Sequence, residues 1–260
     1  MTVFDRSREE LFSFVTWFNK FYGHYPVIIG GWAVYHYNNY LMSKDIDVVF
    51  EARLKAYDSS LLIYLKNNSY ELYNKDRFGI AQTFRKTVDV GGEAYFIDID
   101  ACNTSDSNIY HRNGKLHLPY SLVSKNSASV KEKYGEKTIE YRVPTLELLL
   151  LYKLKAYSDR DFDLQNSISS EDITYLTSKR NKDGSDIIAL MDANHCKEKI
   201  DYIGLLKLTR KYNLLEETAS TLRQIIDNDS AKRAYPRLTP SEATELLEAG
   251  LAAQTEHVGK

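Results

Sequence analysis

Leu11, Phe14, Val15 and Phe18 recur at three- and four-residue spacing, which predicts an amphipathic helix over residues 7–22 with one buried face. Ser7 followed by Glu10 has the form of a capping box, and Gly23 is placed to end the helix. The period then shortens. Residues 27–29 form a short apolar run, 32–40 have the length of a helix, and 45–50 read as a second strand. A helix over 57–67 precedes three alternating stretches, 70–73, 80–85 and 95–100, which read as strands. Asn67-Asn68, Asp76 to Gly79 and Gly91-Gly92 punctuate them, Asn113-Gly114 marks a tight turn, and 138–143 is one more short strand.

At Pro144 the character of the chain changes. Thr145 caps a Leu-rich helix over 146–157, and helix-compatible patterns follow at 186–192, 199–212, 214–227 and 239–251. The last of these has Thr239 at the N-cap, Pro240 at the first helical position and Glu242 at the third. Residues 159–170 read as an irregular segment, and its acids Asp159, Asp161 and Asp163 as a solvated loop. The pattern therefore divides the chain near residue 143, into an α+β domain over 1–143 and a helical domain over 144–260.

The chemistry concentrates at the strand ends of the first part. Val27-Ile28-Ile29 runs into Gly30-Gly31, a helix-length spacer follows, and Ser43-Lys44-Asp45-Ile46-Asp47-Val48-Val49-Phe50 comes next. Glycines at the start of a helix let an anion approach backbone N–H groups. Alternation along a strand puts Asp45 and Asp47 on one face, where two like charges call for a hard divalent cation. Alone, a Gly-Gly pair is most often a turn and an Asp-x-Asp pair most often a solvated strand end. In this order and spacing the two together are far more specific. A second run, Tyr95-Phe96-Ile97-Asp98-Ile99-Asp100, again sets two acids on one face, and either could join the first pair.

This arrangement resembles the signature of the nucleotidyltransferase superfamily that includes DNA polymerase beta, the antibiotic nucleotidyltransferases and the AbiEii-type toxins. The likeness continues loosely beyond the boundary, in Val143-Pro144-Thr145, Lys153 and the stretch from Arg180 to Ile188. It implies a mixed β-sheet flanked by helices, followed by a helical domain that closes on substrate and nucleotide. It also implies transfer of a nucleoside monophosphate from a nucleoside triphosphate to an acceptor hydroxyl with two Mg2+ ions. Asp45 and Asp47 would be the metal ligands, with Asp98 or Asp100 as a third ligand and general base. Gly30, Gly31, Ser43 and Lys153 would hold the nucleotide. The acceptor could be a small molecule, a protein or RNA, and the AbiEii branch implies a toxin with an antitoxin-like partner. Two other classes use similar residues: a metal-dependent hydrolase or nuclease, against which the glycine turn speaks, and a catalytically silent partner-binding protein.

Composition narrows the classes further. With 260 residues, 43% hydrophobic and 27% charged, the chain has material for one large or two ordinary cores. A formal net charge of -2 offers no global field for nucleic acid or anionic lipid. The two cysteines, Cys102 and Cys196, lack disulfide-framework or zinc spacing, so both read as free thiols. The N-terminus has no apolar signal core and no run spans a membrane, which together predict a cytoplasmic protein without membrane contact. Trp32 reads as core packing, His111 and His117 as surface histidines, and the twenty tyrosines are too scattered to suggest one stacking surface.

Overall fold

The computed structural model describes residues 1–40, 42–50, 59–75, 81–104, 118–135 and 137–255. The Asn113-Gly114 turn, His111 and His117 lie outside them. The described residues fall into two compact units, one drawn from the described parts of 1–35, 42–107 and 119–145, the other from those of 36–41, 108–118 and 146–260.

The first unit opens with helix α1 (Val3–Tyr22). It starts four residues earlier than its apolar period suggests, because Thr2 caps it: Asp5 N–H donates to Thr2 Oγ1 and the Asp5 carboxylate accepts from Thr2 N–H. Ser7 is not the cap; it is buried inside the helix and donates to Lys44 O at 2.8 Å. Gly23 ends the helix in the left-handed region, φ 68°, its N–H returned to Asn19 O. The predicted stripe of Leu11, Phe14, Val15 and Phe18 is fully buried, with Phe14 and Phe18 against Phe50.

Next come β1 (Val27–Ile28), α2 (Gly30–Tyr37), β2 (Ile46–Phe50), α3 (Ser59–Asn67), β3 (Glu71–Lys75), β4 (Ala81–Val90) and β5 (Glu93–Asn103). The short helix α4 (Leu122–Lys125) and the strands β6 (Ser127–Tyr134) and β7 (Lys137–Pro144) complete this unit. The seven strands form one mixed sheet in the order β3-β4-β5-β2-β1-β7-β6. β2 pairs with β5 and β1 with β7 in parallel, whereas β1 and β2 run antiparallel. β4 and β5 extend well past the predicted stretches as a long hairpin around Gly91-Gly92, both at positive φ. β6 has no apolar alternation; only Val130 of its eight residues is buried, so its polar sequence gives no strand signal. It forms by pairing with β7 at the sheet edge.

The second unit takes the last residues of α2, then α5 (Leu146–Gln165), α6 (Ser170–Met191), α7 (Tyr202–Lys211), α8 (Leu215–Ile226), α9 (Asp229–Arg233) and α10 (Pro240–Thr255). The Thr239 and Glu242 capping pair is present, with Thr239 N–H 2.7 Å from the carboxylate. The segment expected to be irregular is helical on both sides of a short break. Asp159 and Asp161 are buried rather than solvated, Asp159 paired with Lys155 and Asp161 with Arg180 at 2.6 Å. Their charges mimic a loop in sequence, yet Asp159 pairs within its own helix at i,i+4 and Asp161 with Arg180 of the next helix. Gly184 lets helices approach: a Cβ there would lie 2.7 Å from Ala231 Cβ. Among the described residues no helix is long and apolar enough to cross a membrane.

Candidate active site in the sheet unit

The parallel pairing of β2 with β5 sets Asp47 directly opposite Asp100. Ile46, Val48, Ile97, Ile99 and Ala101 are buried on one side of these strands, so Asp47, Asp98 and Asp100 project from the other. Asp45 stands one residue before β2, in the bend that leads into it. Ser43 is buried and accepts the Asp45 N–H at 3.3 Å, fixing that bend.

The glycine turn sits on the other flank of Asp47. Ile29 N–H donates to Asp47 O at 2.9 Å, and Gly30 takes φ +63° as the first residue of α2. A Cβ at Gly30 would fall on the Asp47 carboxylate. Glycine is therefore required twice at this position, for its left-handed backbone and for the close approach of an acid. Gly31 is buried in the first turn of α2, and Trp32 beside it is core, as expected.

Asp98 and Asp100 have different surroundings although two residues apart on one face. Asp98 is held by Arg85 in a bidentate pair, Nε at 2.8 Å and Nη2 at 2.7 Å. Asp100 accepts from Thr83 Oγ1 at 2.5 Å and otherwise faces acids. Burial, followed by the charge of Asp47, pushes its carboxyl up to about 7, against the lowering effect of Thr83; Asp45 and Asp98 add to the rise. The sequence could not separate these two acids, because their difference lies on β4, in Arg85 and Thr83, which cross-strand register alone brings opposite them.

Among the described residues no group of three or more His, Cys, Asp or Glu is placed to hold a metal ion. The donor chemistry of Asp45, Asp47 and Asp100 is nevertheless that of a hard cation: oxygen ligands only, crowded enough to lift one of them toward neutrality. Mg2+ takes one or two carboxylates and fills its shell with water and substrate phosphate, so these residues fit it without a three-residue cage.

Lys153 lies in the second unit, buried on α5. Its ammonium is 3.1 Å from Asp183 and 2.6 Å from Asp186, both on α6. Lys182 also reaches Asp186, at 3.0 Å, and Arg160 pairs with Asp183. Burial by itself would raise Asp186, but Lys153 and Lys182 outweigh it and hold its carboxyl below the usual range. Asp183 and Asp186, spaced for one helix face beside Lys182, carried a readable signal for this cluster. Cys102 is buried and Cys196 half-buried, both as free thiols.

No protein family and no curated protein matches this sequence. Among solved structures it is similar to one described as "Crystal structure of putative nucleotidyltransferase from H. pylori", at 13% identity over 90% of this chain and 88% of that one, with a TM-score of 0.37.

Proposed function

We propose that this protein is a Mg2+-dependent nucleotidyltransferase whose reacting centre is built on Asp45, Asp47 and Asp100 beside the Gly30-Gly31 turn. The observation that carries this reading is the placement of Asp47: it meets Asp100 across β2 and β5, and Gly30, at positive φ just past the end of β1, lies against its carboxylate. An ordinary strand end does not gather like charges at half-buried positions or press a glycine against one of them. A site for a cation and a polyphosphate has reason to do both.

In this reading Asp45 and Asp47 are the principal Mg2+ ligands and Asp100, rather than the Arg85-bound Asp98, is the third acid. The bound ions supply charge neutralisation for the α-phosphate and the departing pyrophosphate. The N–H groups at the start of α2 receive the phosphates, and Ser43 holds the bend that carries Asp45. The acceptor oxygen forms a bond to the α-phosphorus, the bond from that phosphorus to the bridging oxygen breaks, and pyrophosphate leaves with the electron pair. Asp100 takes the hydroxyl proton. Lys153 already faces two carboxylates. We assign it to the integrity of the helical unit rather than to the phosphates.

Thermal-shift measurements with each of the four ribonucleoside triphosphates, with and without Mg2+, test the assignment, with Asp47→Asn as the control. A Mg2+-dependent rise in Tm that the variant loses is the expected result, since a ligand that binds only the native state stabilises it. The same rise in both proteins, or none with any nucleotide, overturns it.

A further inference from the structure

The sheet face that carries Asp100 does not end there. Moving back along β5, Asp98 and then Phe96 project from the same face, Arg85 joins them from β4, and Tyr73, at the bulge in β3, meets Arg85 there. The Arg85 guanidinium lies 3.5 Å from the centroid of Tyr73 and 4.8 Å from that of Phe96, with Asp98 bound at its edge. Tyr73 and Phe96 are 61% and 52% exposed, high values for rings next to a half-buried acid site. Arg85 is matched by Asp98, so the guanidinium offers its plane beside the two exposed rings without adding net positive charge. It begins beside Asp100 and reaches Phe96 four residues away, about 13 Å along an extended strand.

The order of the strands gives this surface a direction. The sheet runs β4, β5, β2, β1, so the glycine turn lies on one side of the acids and the ring cluster on the other. In an in-line displacement the entering hydroxyl and the leaving pyrophosphate stand on opposite sides of the phosphorus. If the phosphates lie at Gly30, as the proposed function holds, the acceptor enters over β5 and β4, across Tyr73, Arg85 and Phe96.

We propose that this cluster seats a nucleobase of the acceptor, which is the hydroxyl end of a single-stranded nucleic acid. Aromatic faces and an arginine plane stack bases without reading their sequence. The length of the surface separates the ring it binds from the reacting hydroxyl at Asp100. That distance suits a strand with its terminal hydroxyl at the acids and a base further back. It does not suit a tyrosine acceptor, whose hydroxyl and ring are one group. Because the platform is charge-matched, its contribution is stacking and depends little on salt, unlike phosphate capture.

The test is fluorescence anisotropy with a 5′-labelled adenosine tetraribonucleotide and the full chain in Mg2+, alongside thermal shifts with nucleoside triphosphates. Tyr73→Ala and Phe96→Ala are each expected to weaken binding about five- to hundredfold. Tyr73→Trp should restore it, and raising the salt should change the ratio of variant to wild type little. Equal binding by wild type and the Tyr73→Ala/Phe96→Ala variant overturns the proposal. So does absence of oligonucleotide binding in a protein that still responds to nucleotide, an outcome that leaves the transferase reading standing. Ring-dependent binding of a serine peptide with aromatic neighbours, in place of the oligonucleotide, also overturns it. Ring-dependent oligonucleotide binding without any nucleotide response would keep the platform and sink the transferase.

Discussion

The two units each gather a group of aspartates and treat them in opposite ways. In the helical unit Asp183 and Asp186 meet Lys153, Lys182 and Arg160, and Asp186 is held below its usual range although no part of it reaches solvent. In the sheet unit Asp100 is set opposite Asp47 and near Asp45, and its carboxyl is pushed upward. Desolvation acts the same way on each. The difference lies in the sign of the neighbours, and it separates a cluster that completes itself from one that a cation would complete.

The largest effect is expected where charge is matched. Lys153→Met leaves two interior carboxylates short of a cation and should cost roughly 3–5 kcal/mol by chemical denaturation. Adding Asp186→Leu should recover part of that loss, since an apolar pair replaces a broken ionic one. A loss under about 1 kcal/mol would mean the helical cluster is not self-completing.

The sheet cluster should respond with the opposite sign. Burial and the charge of Asp47 push the Asp100 carboxyl up to about 7 in the folded chain, from about 4 for an unfolded one, so the native state holds the extra proton between these values. Its contribution is intact below about pH 4 and is lost as pH rises through about 7. In the metal-free protein Asp100→Asn should therefore raise stability at about pH 8, by roughly 2–4 kcal/mol, and change it little near pH 4. A variant less stable at both pH values would make Asp100 an ordinary structural acid.

The same contrast explains what was legible in the sequence. Periodicity located α1, β1, β2, β5, α5 and α10, and the spacing of Gly30, Asp45 and Asp47 marked the acid cluster. Each of these signals is carried by residues close together along the chain. What stayed hidden depends on pairings that the local period does not show. Asp98 and Asp100 have the same local pattern until Arg85 and Thr83 arrive across the hairpin. β6 owes its form to its hairpin partner β7, and Asp161 looks like a loop acid until Arg180 of the next helix meets it; Asp159 finds Lys155 at i,i+4, a pairing visible only once the segment is known to be helical. Lys153 gave no sign of burial because a lysine on a Leu-rich helix is ordinarily solvated, and its two acids lie thirty or more residues on.

Gly30 offers the next smaller effect. Gly30→Ala introduces a left-handed alanine and presses a Cβ onto the Asp47 carboxylate, so it should destabilise by about 2 kcal/mol or more. Gly23→Ala supplies the control. It has the same sign of φ with nothing within 4 Å of the added carbon, and should cost only about 1–2 kcal/mol of backbone strain. Equal losses would reduce the glycine turn to backbone conformation alone and remove its link to Asp47.

The smallest change sharpens the comparison most, because it converts one acid into the likeness of the other. Arg85→Met deprives Asp98 of its bidentate partner while leaving β4 and β5 paired. Both side chains are partly exposed, so global stability should fall by no more than about 1 kcal/mol. The consequence should appear in titration instead. With its arginine gone, Asp98 adds its own negative charge beside Asp100, and the Asp100 carboxyl should move further upward when followed by carboxyl NMR. If it does not move, the arginine is not what divides the two acids of β5, and the division would rest on Thr83 and on the register with Asp47.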